Sequence, residues 1–240
     1  MKTLRITLRK RLRPSVIVLP VLLIFLYGCG ARVVYRDRFD STPIGQPPGP
    51  PQIGTSVIGG DVLIAENPFN DISPDRWLQL RRRDPGTFSE YVATLAQPVT
   101  RGATVALLGY VSVIPATDPI AMTVLFETPD LTPPGPTRFE LLHIDLLANG
   151  NIRVNDEPTA EGTYNFRTSI TFLIGFDLDA SPPVATIVVR GGAEDASTDV
   201  EIPASAAAAG LGQVRVVTSN FTDDPKLGLF FINDISATGS

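Results

Sequence analysis

The side chains best placed for chemistry are few. One histidine and one cysteine occur in 240 residues. His143 lies in "ELLHIDLL", two residues before Asp145. On a regular strand that spacing puts both on one face and Glu140 on the other. A carboxylate beside an imidazole orients a general base. No nucleophile of recognised spacing accompanies the pair, so a solvent-facing His–Asp pair is the plainer reading. A lone histidine and a lone cysteine offer little to a zinc hydrolase site. Gly59-Gly60 and Gly191-Gly192 match no phosphate-cradling motif. Hard cations take oxygen ligands. Asp177 and Asp179 in "FDLDAS", Asp223 and Asp224 in "FTDDP", and Asp234 in "IND" are the candidates for calcium. A role as solvated or turn-forming acids competes for each. Stacking on a sugar ring needs an exposed aromatic. Trp77, the only tryptophan, is the candidate, with Tyr91, Tyr110 and Tyr164 behind it; core packing competes for all four.

The cysteine stands apart from these. One thiol makes no internal disulfide. Cys29 closes an apolar run, "SVIVLPVLLIFLYG", that follows the basic stretch "MKTLRITLRKRLRP". As a helix, Val16 to Tyr27 reaches about 18 Å, short of the roughly 30 Å hydrocarbon core. A secretion signal fits that length better than a permanent membrane span. The segment Leu26-Tyr27-Gly28-Cys29 resembles the cleavage motif of bacterial lipoproteins, with Tyr27 the departure from its usual small residue. The resemblance implies a signal peptide over 1–28, diacylglycerol on Cys29, and an acylated (palmitate-type) amine after cleavage. Several acyl chains hold durably where one holds weakly. An ordinary secreted protein with a chance cysteine is the competing reading. Gly30 is not the aspartate associated with inner-membrane retention, so the outer membrane is the expected address in a Gram-negative host.

The elements that would position a site are strands. Glycine (20) and proline (22) are frequent beside a 43% apolar content, which suits strands and turns rather than disorder. The chain is acidic, with a formal charge of −5, and six of its basic residues lie in 1–28. The remainder is more acidic still, which argues against nucleic acid as a partner. Arg81 to Arg83 is the only later basic run. A tether over 29–33 and one folded domain over 34–240 are expected. About twelve apolar runs alternate with breakers, and helical periodicity is almost absent. In "RWLQLRR", Leu78 and Leu80 share one face, Trp77 and Gln79 the other. "ATVALLGYVSVI" lacks polar alternation, as a strand covered on both faces would. Ala148-Asn149-Gly150 is a hairpin signal. "ASAAAAG" (204–210) reads as a loop or a single helical turn. An all-β, two-sheet antiparallel jelly-roll sandwich is expected. A transmembrane barrel is the rival, and covered strands fit it poorly.

Residues 143–192 carry a more specific pattern: a turn at Asn149-Gly150, the strand "NIRVN", then "TSITFLIGFDL" and "ATIVVRG". This resembles laminin G-type and pentraxin-like members of the concanavalin A-like group. "YRDRFDS" and "LFFINDISATG" resemble the terminal strands that pair in such sandwiches. The resemblance implies glycan or protein binding, and often a calcium ion at the rim. Glucanases of this group carry glutamate-x-aspartate-x-glutamate on one strand, and "ELLHID" does not match it. The reading is a lipid-anchored, non-catalytic envelope protein that binds glycan or a partner protein and needs no cofactor beyond a possible calcium. A glycan-cleaving enzyme of the same fold and a structural accessory of an envelope complex are the alternatives.

Overall fold

Alternating apolar residues build strands here, and the strands pair into two separate antiparallel sheets. The structure, a computed structural model, describes residues 31–48, 55–58, 62–69, 75–81, 88–113, 120–130, 138–156, 162–191, 195–218 and 229–240. In chain order the elements are β1 (Arg32–Asp37), β2 (Thr55–Ile58), β3 (Val62–Glu66), β4 (Arg76–Arg81), β5 (Glu90–Val99), β6 (Gly102–Val113), β7 (Ile120–Glu127) and β8 (Glu140–Leu147). Then follow β9 (Asn151–Val154), β10 (Gly162–Thr163), β11 (Ser169–Asp177), β12 (Val184–Arg190), β13 (Ala196–Glu201), α1 (Ala204–Ala209), β14 (Leu211–Thr218) and β15 (Leu229–Gly239). Residues 32–240 form one compact unit. The expected signal segment over 1–28 and Cys29 lie outside the described residues. So do Asp223 and Asp224. Arg32 and Val33, assigned above to the tether, are in the ladder: they pair with Gly239 and Thr238.

The eight-stranded sheet runs β13-β12-β11-β6-β15-β4-β3, with β1 also on β15. The seven-stranded sheet runs β10-β9-β8-β7-β14-β5-β2. β15 is long enough to hold two partners end to end: residues 229–232 pair with β4 and residues 235–239 with β1. Its other edge pairs with β6. A register shift between Ile232 and Asp234 resets the alternation, so Phe230 and Ile232 before it, and Ile235 and Ala237 after it, all reach the core.

Strand periodicity dictates which face is buried. Leu78 and Leu80 point inward, as do Val105 and Leu107, Phe172 and Ile174, Val124 and Phe126, and Ile144 and Leu146. Each such side chain contributes about 1.5–3 kcal/mol on burial. Phe126 of one sheet meets Phe176 of the other with ring centroids 5.4 Å apart. A second contact between the sheets is polar. The Tyr35 hydroxyl on β1 bonds the Tyr91 hydroxyl on β5 (2.5 Å), which donates to Asp37 Oδ2 (3.1 Å). Asp37 Oδ1 accepts the N–H of Phe39 (2.7 Å). Burial pushes the Asp37 carboxyl up, against the pull of these bonds.

Two local features follow from residue type. Between β8 and β9 the chain reverses over Ala148-Asn149-Gly150. Gly150 takes φ +88° and donates to Leu147 O (3.0 Å), and Asn149 Oδ1 accepts the N–H of Asn151 (3.0 Å). The alanine run before β14 forms a six-residue helix, the helical one of the two expected alternatives. Its N–H groups at Ala206 and Ala207 bond Pro203 O, and Gly210 at φ +80° ends it. Ala206 and Ala207 are buried, and α1 packs against β8.

Candidate functional site

The outward face of the seven-stranded sheet carries four of the eight buried polar side chains among the described residues: Glu90, Glu127, Asp145 and Gln213. Each central strand alternates core residues with outward ones, so outward residues line up in cross-strand rows. The first row is Arg153, Asp145, Thr123, Val217 and Glu90. The second is His143, Leu125, Arg215 and Val92. The third is Glu140, Glu127, Gln213 and Thr94.

Glu140 belongs to these rows because β8 carries a bulge. Phe126 faces Leu142, but Glu127 faces Glu140, so Leu141 is an extra residue on β8. A bulge reverses the alternation beyond it. Leu141 and Leu142 are both buried in the core, and Glu140 swings to the face of His143 and Asp145. The expectation from regular spacing, Glu140 on the opposite face, is corrected by that one inserted residue.

Two networks result. In the first, Arg215 reaches Glu127 Oε1 through Nη2 (2.5 Å) and Glu90 Oε2 through Nη1 (3.4 Å). The Gln213 amide donates to Glu127 Oε2. The Glu90 and Glu127 side chains are 7% and 9% exposed, and that of Arg215 27%. One guanidinium held between two carboxylates is a rigid unit with fixed donor geometry. At the base of the β7–β8 connection, Arg138 grips Asp130 with two bonds (2.6 and 3.1 Å). That grip holds the Asp130 carboxyl below its usual range.

The second network surrounds His143. Asp145 Oδ2 accepts Arg153 Nη2 (2.6 Å) and Nε (3.1 Å), and its Oδ1 accepts the Thr123 hydroxyl (2.6 Å). His143 Nδ1 bonds Glu140 Oε1 (2.5 Å), and Nε2 accepts the N–H of Asp156 (3.1 Å). The side chains of His143 and Asp145 are 12% and 4% exposed, so the pair is not the solvated one expected. Nε2, the atom a general base would use, is taken by a backbone N–H. His143, Asp145 and Asp156 bring one ligand atom each within 4.8 Å of one another. Two of the three are already engaged: the Asp156 N–H bonds His143 Nε2, and Arg153 occupies the place a cation would take beside Asp145.

The other candidates fall elsewhere. Asp177 Oδ1 accepts the N–H of Ala180 (3.1 Å), a turn-forming role. Asp179 lies 3.7 Å from Arg101, both exposed. Asp234 sits between Arg38 (3.6 Å) and Arg36 (3.9 Å) on the eight-stranded sheet. Burial pushes its carboxyl up and Arg38 pulls it down. Among the described residues these aspartates form no common cation site. Trp77 is not an exposed platform. It is 3% exposed, packed with Tyr110 and Phe231 on the outward face of the eight-stranded sheet. Phe69 stands edge-on to both Trp77 (5.6 Å) and Tyr110 (4.7 Å). Tyr91 and Tyr164 are core residues. Sequence reasoning missed Glu90, Glu127, Gln213 and Arg215. The one local signal was "QVRVV", where polar and apolar residues alternate on what proves to be an interior strand.

Two antiparallel sheets of this strand order define a jelly-roll β-sandwich of the concanavalin A-like kind, and solved structures agree in fold. Peanut lectin, in a structure with a nine-residue peptide, superposes with a TM-score of 0.57 at 10% identity, over 88% of this chain and 97% of the lectin. Lectin II from Ulex europaeus gives 0.55 at 9% identity, over 87% and 100%. A carbohydrate esterase from the Shiga toxin-encoding bacteriophage phi24B gives 0.53 at 15% identity, over 78% and 91%. At these identities the likeness is one of fold. No family model matches the sequence, and no curated protein matches it significantly.

Proposed function

We propose that this chain is a lipid-anchored, non-catalytic protein of the cell envelope whose sandwich binds glycan through the outward face of its seven-stranded sheet. The observation that carries the reading is the three-row array on that face. Carboxylates, guanidinia, an amide and a threonine hydroxyl stand on five adjacent strands and are fixed by their mutual bonds. A sugar presents hydroxyls at several points, and preorganised donors and acceptors recognise it with little ordering cost. The lectin and esterase likeness in fold supports the same reading. Apolar Leu125, half-buried between the polar rows, offers contact for the face of a sugar ring.

The test is a glycan panel with a blocked variant. Leu125→Arg places a bulky charge in the middle of the array at a half-buried position. It is expected to weaken binding about tenfold or more, or 1.4 kcal/mol. Ser197→Arg, on an exposed position of β13, is expected to leave binding unchanged. A panel with no saturable binding overturns the glycan reading. A co-purifying envelope protein in its place would assign the face to a protein partner.

The anchor rests on Cys29 and the leader before it. Cys29→Ser is expected to abolish incorporation of labelled palmitate and to release the protein from membranes. A variant that stays labelled and membrane-bound removes the lipoprotein reading.

A further inference from the structure

His143 is the only histidine in the chain, and the turn after β9 is hung on it. Asn155 and Asp156 both take left-handed backbone, φ +48° and +59°. Such pairs are held by the residues around them. Among the described residues three bonds do so here, all to one residue. Asn155 Oδ1 accepts the N–H of His143 (3.0 Å), and the N–H of Asn155 donates to His143 O (3.1 Å). The third is the N–H of Asp156 to His143 Nε2 (3.1 Å). Only this third bond depends on the charge state of a side chain. It requires a lone pair on Nε2. The ring is then neutral, with its proton on Nδ1 facing Glu140.

A proton added to Nε2 points at another N–H. Attraction along that line becomes repulsion. The new donor has carboxylates nearby instead: Asp156 Oδ1 at 3.5 Å and Asp145 Oδ2 at 4.0 Å. We propose that protonation of His143 switches the Asn155–Asp156 turn from a state held by the Asp156 amide to one held by the Asp156 carboxylate.

The surroundings of the ring fix where this happens. On β8 it faces Glu140 and Asp145. The turn contributes Asp156, which is 75% exposed. Arg153 on β9 opposes these, bonded to Asp145 and 3.5 Å from Asp156 Oδ1. β7 presents uncharged Leu125, and Thr123 bonded to Asp145. Three carboxylates against one guanidinium favour the charged ring. The bond to Glu140 holds the His143 imidazole above its ordinary 6.5, with burial working against it. The switch therefore sits above pH 6.5. A raised folded-state value also means that His143 stabilises the fold fully below the unfolded value, and less as pH rises through the folded one.

A single histidine makes the test clean. The full chain, ¹⁵N-labelled in detergent micelles, is titrated from about pH 5 to 9 by NMR, following the ring nitrogens and the backbone amides. The high-pH ring is expected to carry its proton on Nδ1. The Asp156 amide is expected to shift with the same midpoint as the ring, above 6.5, while the Asn155 amide moves little. Glu140→Gln should lower both midpoints together, and His143→Gln should leave the Asp156 amide flat. An Asp156 amide that ignores the His143 titration, or a high-pH ring protonated on Nε2, overturns the proposal.

Discussion

Gly212→Ala is expected to destabilise the sandwich by about 3 kcal/mol or more, and to loosen the outward array as it does so. A Cβ at this position would stand 2.3 Å from Pro129 N, 2.5 Å from Pro129 Cα and 2.8 Å from its Cδ. All three atoms belong to backbone or to a locked ring, so none can turn aside. β14 approaches the end of β7 this closely only because residue 212 has no side chain. The next residue on β14, Gln213, bonds Glu127, the last residue of β7. Pushing the strands apart there pulls Gln213 and Arg215 away from Glu127 together. Gly175→Ala is the matched control. A Cβ there meets nothing within 4 Å, and its effect should lie within about 0.5 kcal/mol. Urea denaturation of the two variants decides the matter. Equal midpoints would mean that the close approach at Pro129 bears no stability.

Asp145→Ala is expected to cost about 2–4 kcal/mol, below the 3–5 of a fully buried pair. The side chain is 4% exposed and accepts from both Arg153 and Thr123. Truncation leaves the Thr123 hydroxyl and one side of the Arg153 guanidinium without their acceptor. The discount reflects Arg153, whose side chain is 28% exposed and which keeps Asp156 within 3.5 Å. The pair Asp145→Leu with Arg153→Met should be less destabilised than the two single changes summed, by more than about 1 kcal/mol. Full additivity in that cycle would show that the two charges do not act as a unit. The ion pairs of Asp179 and Asp234 lie further into solvent, and their removal should matter much less.

Alternation in the sequence was enough to find the layers. "RWLQLRR" divided correctly into Leu78 and Leu80 inside and Trp77 and Gln79 outside. The hairpin at Asn149-Gly150 was readable because turn residues act locally, and the pairing of the first and last described strands followed from the resemblance to concanavalin A-like sandwiches. What escaped was set by contacts between distant segments. Nothing in "ELLHID" marks Leu141 as an inserted residue; the bulge exists only against Glu127 of β7. Glu90, Glu127 and Arg215 meet across three strands, and none stands in a motif. Trp77 looked available because its cover, Phe69, lies outside any strand, where no periodicity announces the contact.

The double pairing of β15 has a consequence for the order of events in synthesis. β1, β4 and β6 all need β15 to complete the middle of their sheet, and all three leave the ribosome before it. The growing chain therefore holds unpaired strand edges until the end of β15 emerges. Closing such distant partners is slow, and exposed edges invite association in the meantime. A chaperone or a translocation channel that keeps the strands apart until β15 has appeared would suit this topology better than domain-by-domain folding during translation.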